Sequence, residues 1–296
     1  MNWMNSLLSM RLRKPASLLL LFVGLSSFAW SQVVLVTRNQ VESYTRYARY
    51  GVAIDERNSV KRLDLSMHEL FQLPNTLHLF KNCVEINFSQ NKLTEIDPSI
   101  LGMQSLQYLT GRQNIISGLP YGIDSLQNLQ EIDLVSNRIK GLPKEIGSMP
   151  NLRILNFDQN LIPAIPPQVG DLSNLEELHF STNQLRALPE AIGQLKMVKV
   201  ADFSYNFIEQ VPQTIGDMES LQRLDLSYNR LTKLPDSLVY LKNLRELDLR
   251  KNLLKALPDK IVMMEELRVL NLKGNPITAK QVAAIRTKLP YCKVIY

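Results

Sequence analysis

Cysteine is nearly absent, with only Cys83 and Cys292 in 296 residues. That excludes a disulfide framework, and no paired-cysteine metal spacing exists. Histidine is scarcer than catalysis usually needs, at three residues, and none forms an H-E-x-x-H pair. The twelve glycines never gather into a phosphate-cradling loop, and no nucleophile elbow occurs. Acid is missing from residues 1–31, which hold Arg11, Arg13 and Lys14 and so supply three of the six excess positive charges. What remains is too weakly basic to argue for nucleic acid or an anionic membrane as a partner.

Those first residues read as a secretory signal. The three bases form a charged n-region, and residues 16–30, centred on Leu18, Leu19, Leu20, Leu21, Phe22 and Val23, form an apolar h-region. Ala29 and Ser31 offer small residues where a signal peptidase reads, which puts the cut between Ser31 and Gln32. The competing reading is an uncleaved anchor. The apolar run falls short of the roughly 20 residues of a spanning helix. No cysteine follows it for lipidation, and no second apolar stretch follows.

What is present is a repeat. Asn91, Asn114, Asn137, Asn160, Asn183, Asn206, Asn229, Asn252 and Asn275 recur every 23 residues, and one step back lands on His68. Each sits in the pattern L-x-x-L-x-L-x-x-N-x-L-x-x-L-P-x-x-I-x-x-L-x-x. Repeat eight gives Leu221, Leu224, Leu226, Asn229, Leu231, Leu234, Pro235, Leu238 and Leu241. Ten units fill residues 60–289, the first nine without insertion or deletion. The L-x-L alternation sets both leucines on one face of a short strand. The asparagine belongs to the following turn, where it can bond backbone groups of the bending chain and stack into a ladder. Leu-Pro opens the return path, since proline fixes φ and donates no hydrogen bond. One unit cannot bury its own apolar face, but ten can share a core.

These motifs resemble the leucine-rich-repeat family, in the short 23-residue class of plant Ras-group-related and Ras-scaffold-type proteins. Similar exported chains occur in bacteria of the Bacteroidetes type. The resemblance covers about four-fifths of the chain. It implies an α/β fold: a right-handed solenoid with a concave parallel sheet and short helical or irregular convex segments.

Departures from the pattern carry expectations. Gly111 replaces the third leucine of repeat three, and Ala201 the second leucine of repeat seven. The rings of Phe88, and of Phe180 and Phe203, are expected to fill the space. Repeat two shifts its proline by one, reading Ile96-Asp97-Pro98. His68 at the ladder position is expected to be structural rather than a metal ligand. The domains expected are a signal over 1–31, an N-terminal helical cap over 32–59, repeats over 60–277 and a C-terminal cap over 278–296. Val41, Tyr44, Tyr47 and Ala48 have the spacing of one amphipathic helix over 39–49. Thr278 is the expected N-cap of a helix over 279–289, followed by a strand-like Lys293-Val294-Ile295-Tyr296. Strands stack about 4.8 Å apart, so Cys83 and Cys292 lie roughly 40 Å from one another. A disulfide needs Cα atoms within about 7 Å, so both are expected to be free. The cysteine-rich caps of animal extracellular members are missing, which fits a bacterial exported protein.

The third, fifth, seventh and eighth places of each unit should line the concave face. The fifth holds Asp64, Asn87, Thr110, Asp133, Asn156, His179, Asp202, Asp225, Asp248 and Asn271. Over all four places acids outnumber bases ten to six, with acids dominating repeats two to seven and bases repeats eight to ten. That polarity suits a basic partner or a glycan, although any single Asp is expected to reflect the family's L-D-L habit. Tyr205, Tyr228, Arg223, Arg250 and Lys251 form a second candidate, since Tyr and Arg anchor interfaces. Ile115, Leu161, Phe207 and Leu253, just after the ladder asparagine, form either a contact stripe or a partly buried rim, the latter preferred. His179 has neither nucleophile nor pocket, which excludes the ordinary hydrolytic arrangements. The sequence thus predicts an exported monomer, periplasmic or secreted, that is not an enzyme and uses no cofactor or metal. It would bind an unknown protein, or alternatively a glycan or the cell envelope, through Tyr205, Tyr228, Arg223, Arg250, Lys251, Asp202, Asp225, Asp248 and His179.

Overall fold

A computed structural model describes residues 34–296; the proposed signal and its cut lie outside them. The 23-residue step becomes one sheet of twelve parallel strands in sequence order. The N-terminal cap contributes α1 (Arg38–Glu42), β1 (Arg46–Tyr47) and α2 (Tyr50–Asp55). The repeats contribute β2 (Arg62–Asp64), β3 (Glu85–Asn87), β4 (Tyr108–Thr110), β5 (Glu131–Asp133), β6 (Ile154–Asn156), β7 (Glu177–His179), β8 (Val200–Asp202), β9 (Arg223–Asp225), β10 (Glu246–Asp248) and β11 (Val269–Asn271). The C-terminal cap adds α3 (Ala279–Lys288) and β12 (Lys293–Ile295). Repeat strands pair one period apart, as in Asp202 with Asp225 and Leu224 with Leu247. Their leucines turn inward into one continuous buried core.

The ladder asparagines stitch this core together. Asn229 Nδ2 donates to the carbonyls of Leu226 and Ser227 in its own turn and of Phe203 one repeat back, while its Oδ1 accepts from the Ile208 amide at 2.9 Å. The same pattern runs from Asn114 to Asn252. A second ladder was not anticipated. Asn82, Asn128, Asn151, Asn174 and Asn243, on the return side, each donate to a carbonyl 24 residues back.

The return path holds 3-10 turns that start on proline. The Ile215 amide bonds the Pro212 carbonyl, and Leu238 bonds Pro235 likewise. In repeat two Asp97 takes the proline's role and its carboxylate caps the Ser99 amide at 2.8 Å, which accounts for the shifted Pro98. The glycines of these turns let repeats nest: a Cβ at Gly193 or Gly216 would overlap the backbone of Thr214 or Ser237 in the next repeat.

Phe88 does fill the space at Gly111, where any Cβ would collide with its ring. Phe180 and Phe203, flanking Ala201, are completely buried, and Phe157 stacks on Phe180 at 5.8 Å. His68 acts as a strut: its ring nitrogens face the carbonyls of Ser66 and Ala48, and its amide bonds Asn91 Oδ1 at 3.0 Å. Both cysteines are free, and burial pushes the Cys83 thiol up to about 12.

The N-terminal cap differs from the single helix expected over 39–49. Two short helices flank a two-residue strand, because Arg46 and Tyr47 extend to pair with Arg62 and Leu63. An uncovered strand edge leaves backbone groups unpaired, and only extended chain can satisfy them. At the other end β12 pairs with β11 in the same way. Thr278 forms a capping box with Gln281, and α3 stops at Lys288, one residue before the expected end.

Candidate protein-binding surface

The concave face is built from backbone geometry that repeats. The eighth place of every unit has positive φ, from 53° at Tyr205 to 77° at Gly274. This left-handed kink is costly for a side chain other than glycine, yet nine of the ten eighth places hold one, and in all but the first unit a ladder asparagine bonds the same turn. It throws the eighth side chain out of the turn. Tyr205 and Tyr228 consequently stack face to face, centroids 4.1 Å apart and planes within 9°. Arg250 follows them, its guanidinium 5.7 Å from the Tyr228 ring centre.

The fifth-place column has a structural duty that explains its composition. The amide two residues on donates to the side-chain oxygen at Asp64, Asn87, Asp133, Asn156, Asp202, Asp225, Asp248 and Asn271. Asp and Asn suit this place because their short side chains close such turns. Thr110 and His179 do not close it, and the seventh residue of the preceding repeat substitutes. Ser89 Oγ accepts from the Arg112 amide at 3.0 Å, and Asp158 Oδ1 accepts from the Ser181 amide at 2.6 Å.

The two halves of the face differ. Residues 34–44 lie as a strap along the strand-start rim of repeats two to four. Gln107 pairs with the strap backbone twice, accepting from the Val36 amide at 2.7 Å and donating to the Val34 carbonyl at 2.8 Å. Gln130 and the Tyr108 hydroxyl both donate to the Val36 carbonyl. Val41 is buried against Val84 and Tyr108, and Arg38 lies over the Tyr108 ring while pairing with Glu85 at 2.8 Å. Glu85 also takes Arg62, Asp64 takes Arg46, and Asp133 takes Arg112. Asp64, Glu85 and Asp133 are therefore neutralised within the chain, which removes part of the acidic surface that the residue count suggested for repeats two to seven.

In repeats five to ten the face is open. A depression of about 300 Å³ is lined by His179, Val200, Asp202, Arg223, Asp225, Glu246, Asp248 and Val269, among others. Of the predicted residues, Arg223 pairs with Glu246 at 3.0 Å, Arg250 with Asp248 at 3.4 Å, and His179 Nε2 lies 3.2 Å from Glu177. Lys251 lies at the eighth place beside them, outside the lining of the depression. Among the described residues no lysine or arginine lies within ion-pair distance of Asp158, Asp202 or Asp225. Burial, reinforced by Asp202 and Asp133, pushes Asp158 up to about 6 despite the Ser181 bond and His179. Burial, with Asp202 and Asp248, raises Asp225.

The rim after the asparagines is more exposed than the preferred reading held. Leu161, Phe207 and Leu253 are 37, 41 and 53 % exposed, and only Ile115 is half-buried. Arg230 covers one side of Phe207, 4.6 Å from its centre. Exposed apolar side chains thus alternate with polar ones along the rim beside the tyrosine stack.

Asp158→Asn is expected to stabilise the protein at neutral pH. A carboxyl whose folded pKa lies near 6 rather than 3.8 costs stability as pH rises between those values and at full strength above them. Asn keeps the acceptor for Ser181. The variant should melt higher than the parent at pH 7.5, and the difference should disappear below pH 4. An equal gain at both pH values would contradict the assignment.

Among the described residues no helix is long and apolar enough to cross a membrane. Comparison with known proteins agrees with the geometry. The family profile described as "Leucine-rich repeat region" matches residues 57–201, and "Leucine rich repeat" matches 173–231 and 219–277. None of the curated proteins matches the chain. The ectodomain of the plant membrane receptor kinase GASSHO1/SCHENGEN3 from Arabidopsis thaliana, solved with Casparian strip integrity factor 2, is 30% identical with a TM-score of 0.68. That alignment covers 75% of this chain and 28% of that one. The plant peptide hormone receptor RGFR1, solved with RGF2, is 26% identical over 74% of this chain and 40% of its own, with a TM-score of 0.64. InlJ of Listeria monocytogenes shares the fold at 22% identity, covering 76% and 47%, with a TM-score of 0.64. This chain thus spans less than half of each of these structures. Its period, its single parallel sheet and profiles that together run over residues 57–277 establish that the chain belongs to the leucine-rich-repeat family.

Proposed function

We propose that this protein is an exported, non-enzymatic binding module that grips a protein partner across repeats five to ten of its concave sheet, without a cofactor. One contrast carries the reading. The strap and internal ion pairs occupy repeats one to four, whereas further along the same face keeps a tyrosine stack, exposed apolar side chains on its rim and half-buried carboxylates that no lysine or arginine pairs with. Exposed aromatics beside arginines have the composition of an interface centre. The receptor ectodomains solved with RGF2 and with Casparian strip integrity factor 2 use the same fold for protein ligands, which supports the reading by analogy. Export rests on the signal-like residues 1–31, and periplasm or medium are the compartments it implies.

The test is an affinity pull-down with residues 32–296 from the envelope extract of the native cell. A protein should be retained, and Tyr228→Ala with Arg250→Glu should abolish its capture while Lys196→Glu on the return side leaves it unchanged. Capture indifferent to the concave substitutions would defeat the proposal. Glycan binding is the competing reading, favoured by the half-exposed Tyr205 ring. It would be supported if a glycan array retained sugar in a Tyr205-dependent way.

A further inference from the structure

One repeat step pairs a cation with the fifth-place aspartate of the next unit, and two equivalent steps on the open face do not. In repeat three the seventh place holds Arg112, whose Nε donates at 2.7 Å to Asp133, the fifth place of repeat four. The same step from repeat six leads from Ser181 to Asp202, and from repeat seven it leads from Ser204 to Asp225. Serine reaches neither carboxylate as a cation would. The two serines bond one another instead, Oγ to Oγ at 3.1 Å. The aromatic stack stops at the same point. Tyr228 lies between Tyr205 and Arg250, but Tyr205, 49 % exposed, stacks on Tyr228 alone, and among the described residues no cation lies over its ring. The next eighth place is the small Thr182.

We propose that an arginine side chain of an extended, basic segment of the partner fills this position, its guanidinium on the open face of Tyr205 and bonded to Asp202. The inference rests on the reading of this face as protein-binding and names the chemistry recognised there. Several observations converge on it. A guanidinium in this place would repeat the Arg112–Asp133 pairing and extend the Arg250–Tyr228–Tyr205 stack by one layer. Aromatic faces attract such cations, and more strongly once water is displaced. Asp158, Asp202 and Asp225 supply complementary charge with which no lysine or arginine of the described residues pairs. Burial chiefly, with the nearby Asp202 and Asp133 carboxylates adding to it, raises the pKa of Asp158. A lysine would satisfy charge but not the planar, bidentate geometry.

The test uses the full chain and a capped hexa-arginine peptide, with hexa-lysine and hexa-glutamate as comparators, by titration calorimetry at low salt. Hexa-arginine should bind more tightly than hexa-lysine, and hexa-glutamate not at all. Asp202→Asn with Asp225→Asn should weaken it at least tenfold. Glu219→Gln with Glu265→Gln, which remove the same charge elsewhere, should not. Tyr205→Ala should weaken binding and Tyr205→Phe restore it. Ser181→Arg should block the peptide by supplying the chain's own guanidinium, whereas Ser148→Arg, with the same added charge, should leave binding intact. Equal loss from both acid pairs, or parental affinity in Tyr205→Ala, overturns the proposal. If the extract still yields a partner sensitive to Tyr228 and Arg250 while hexa-arginine shows no such dependence, the binding role stands and this inference alone falls.

Discussion

Asn206→Ala is expected to lower the unfolding free energy by about 3–5 kcal/mol. Its side chain donates to the carbonyls of Phe180, Phe203 and Ser204 at 2.8–3.1 Å and accepts from the Leu185 amide at 2.9 Å. Alanine leaves that amide buried without an acceptor. An orphaned buried group costs roughly 1–3 kcal/mol, and each lost bond about 1 kcal/mol more. The Phe180 and Phe203 carbonyls keep a second donor, from Asn183 and Asn229, which limits the loss. Asn243→Ala in the outer ladder breaks one bond to Glu219 at an exposed site, so about 1 kcal/mol is expected there. Urea unfolding of both variants gives the comparison. A cost at Asn206 no larger than at Asn243 would mean that the inner ladder does not hold the repeats together.

Val41→Asp should release the strap and leave the solenoid folded. Val41 is fully buried between Val84 and Tyr108, and an unpaired carboxylate there cannot be tolerated. The strap's other holds are at its surface: the Gln107, Gln130 and Tyr108 bonds at Val34 and Val36, Arg62 to the Glu42 carbonyl, and Arg38 with Glu85 and over the Tyr108 ring. Undocking is therefore cheaper than global unfolding, as expected of a peripheral unit. Hydrogen exchange at the Val36 and residue-41 amides should accelerate on the order of 100-fold, equivalent to about 2.7 kcal/mol. Amides of β6 to β11 should keep their protection. Uniform loss of protection would show that the strap is an inseparable part of the fold.

The unbroken 23-residue period made the sheet register readable in advance, because each strand pairs with the residue one period away, as Glu246 does with Val269. It also made the Tyr205–Tyr228 contact readable, since equal places in adjacent units are neighbours. The filling of Gly111 by Phe88 followed from the same adjacency. The strap was not readable. Its bonds join residues 71 to 94 positions apart, outside any period, and the spacing of Val41, Tyr44 and Tyr47 imitates a helix that edge pairing breaks. Counting charges on the repeats missed two pairings for the same reason, since Arg38 and Arg46 reach Glu85 and Asp64 only through that fold.

The amino-acid sequence alone therefore determined which leucines face inward, how the strands align and where the turns fall, because each depends on contacts between equal places of neighbouring units. Tertiary structure alone decided which part of the concave face is available. That depends on where a non-repeating segment docks and which carboxylates it neutralises, and such long-range pairing leaves no periodic trace.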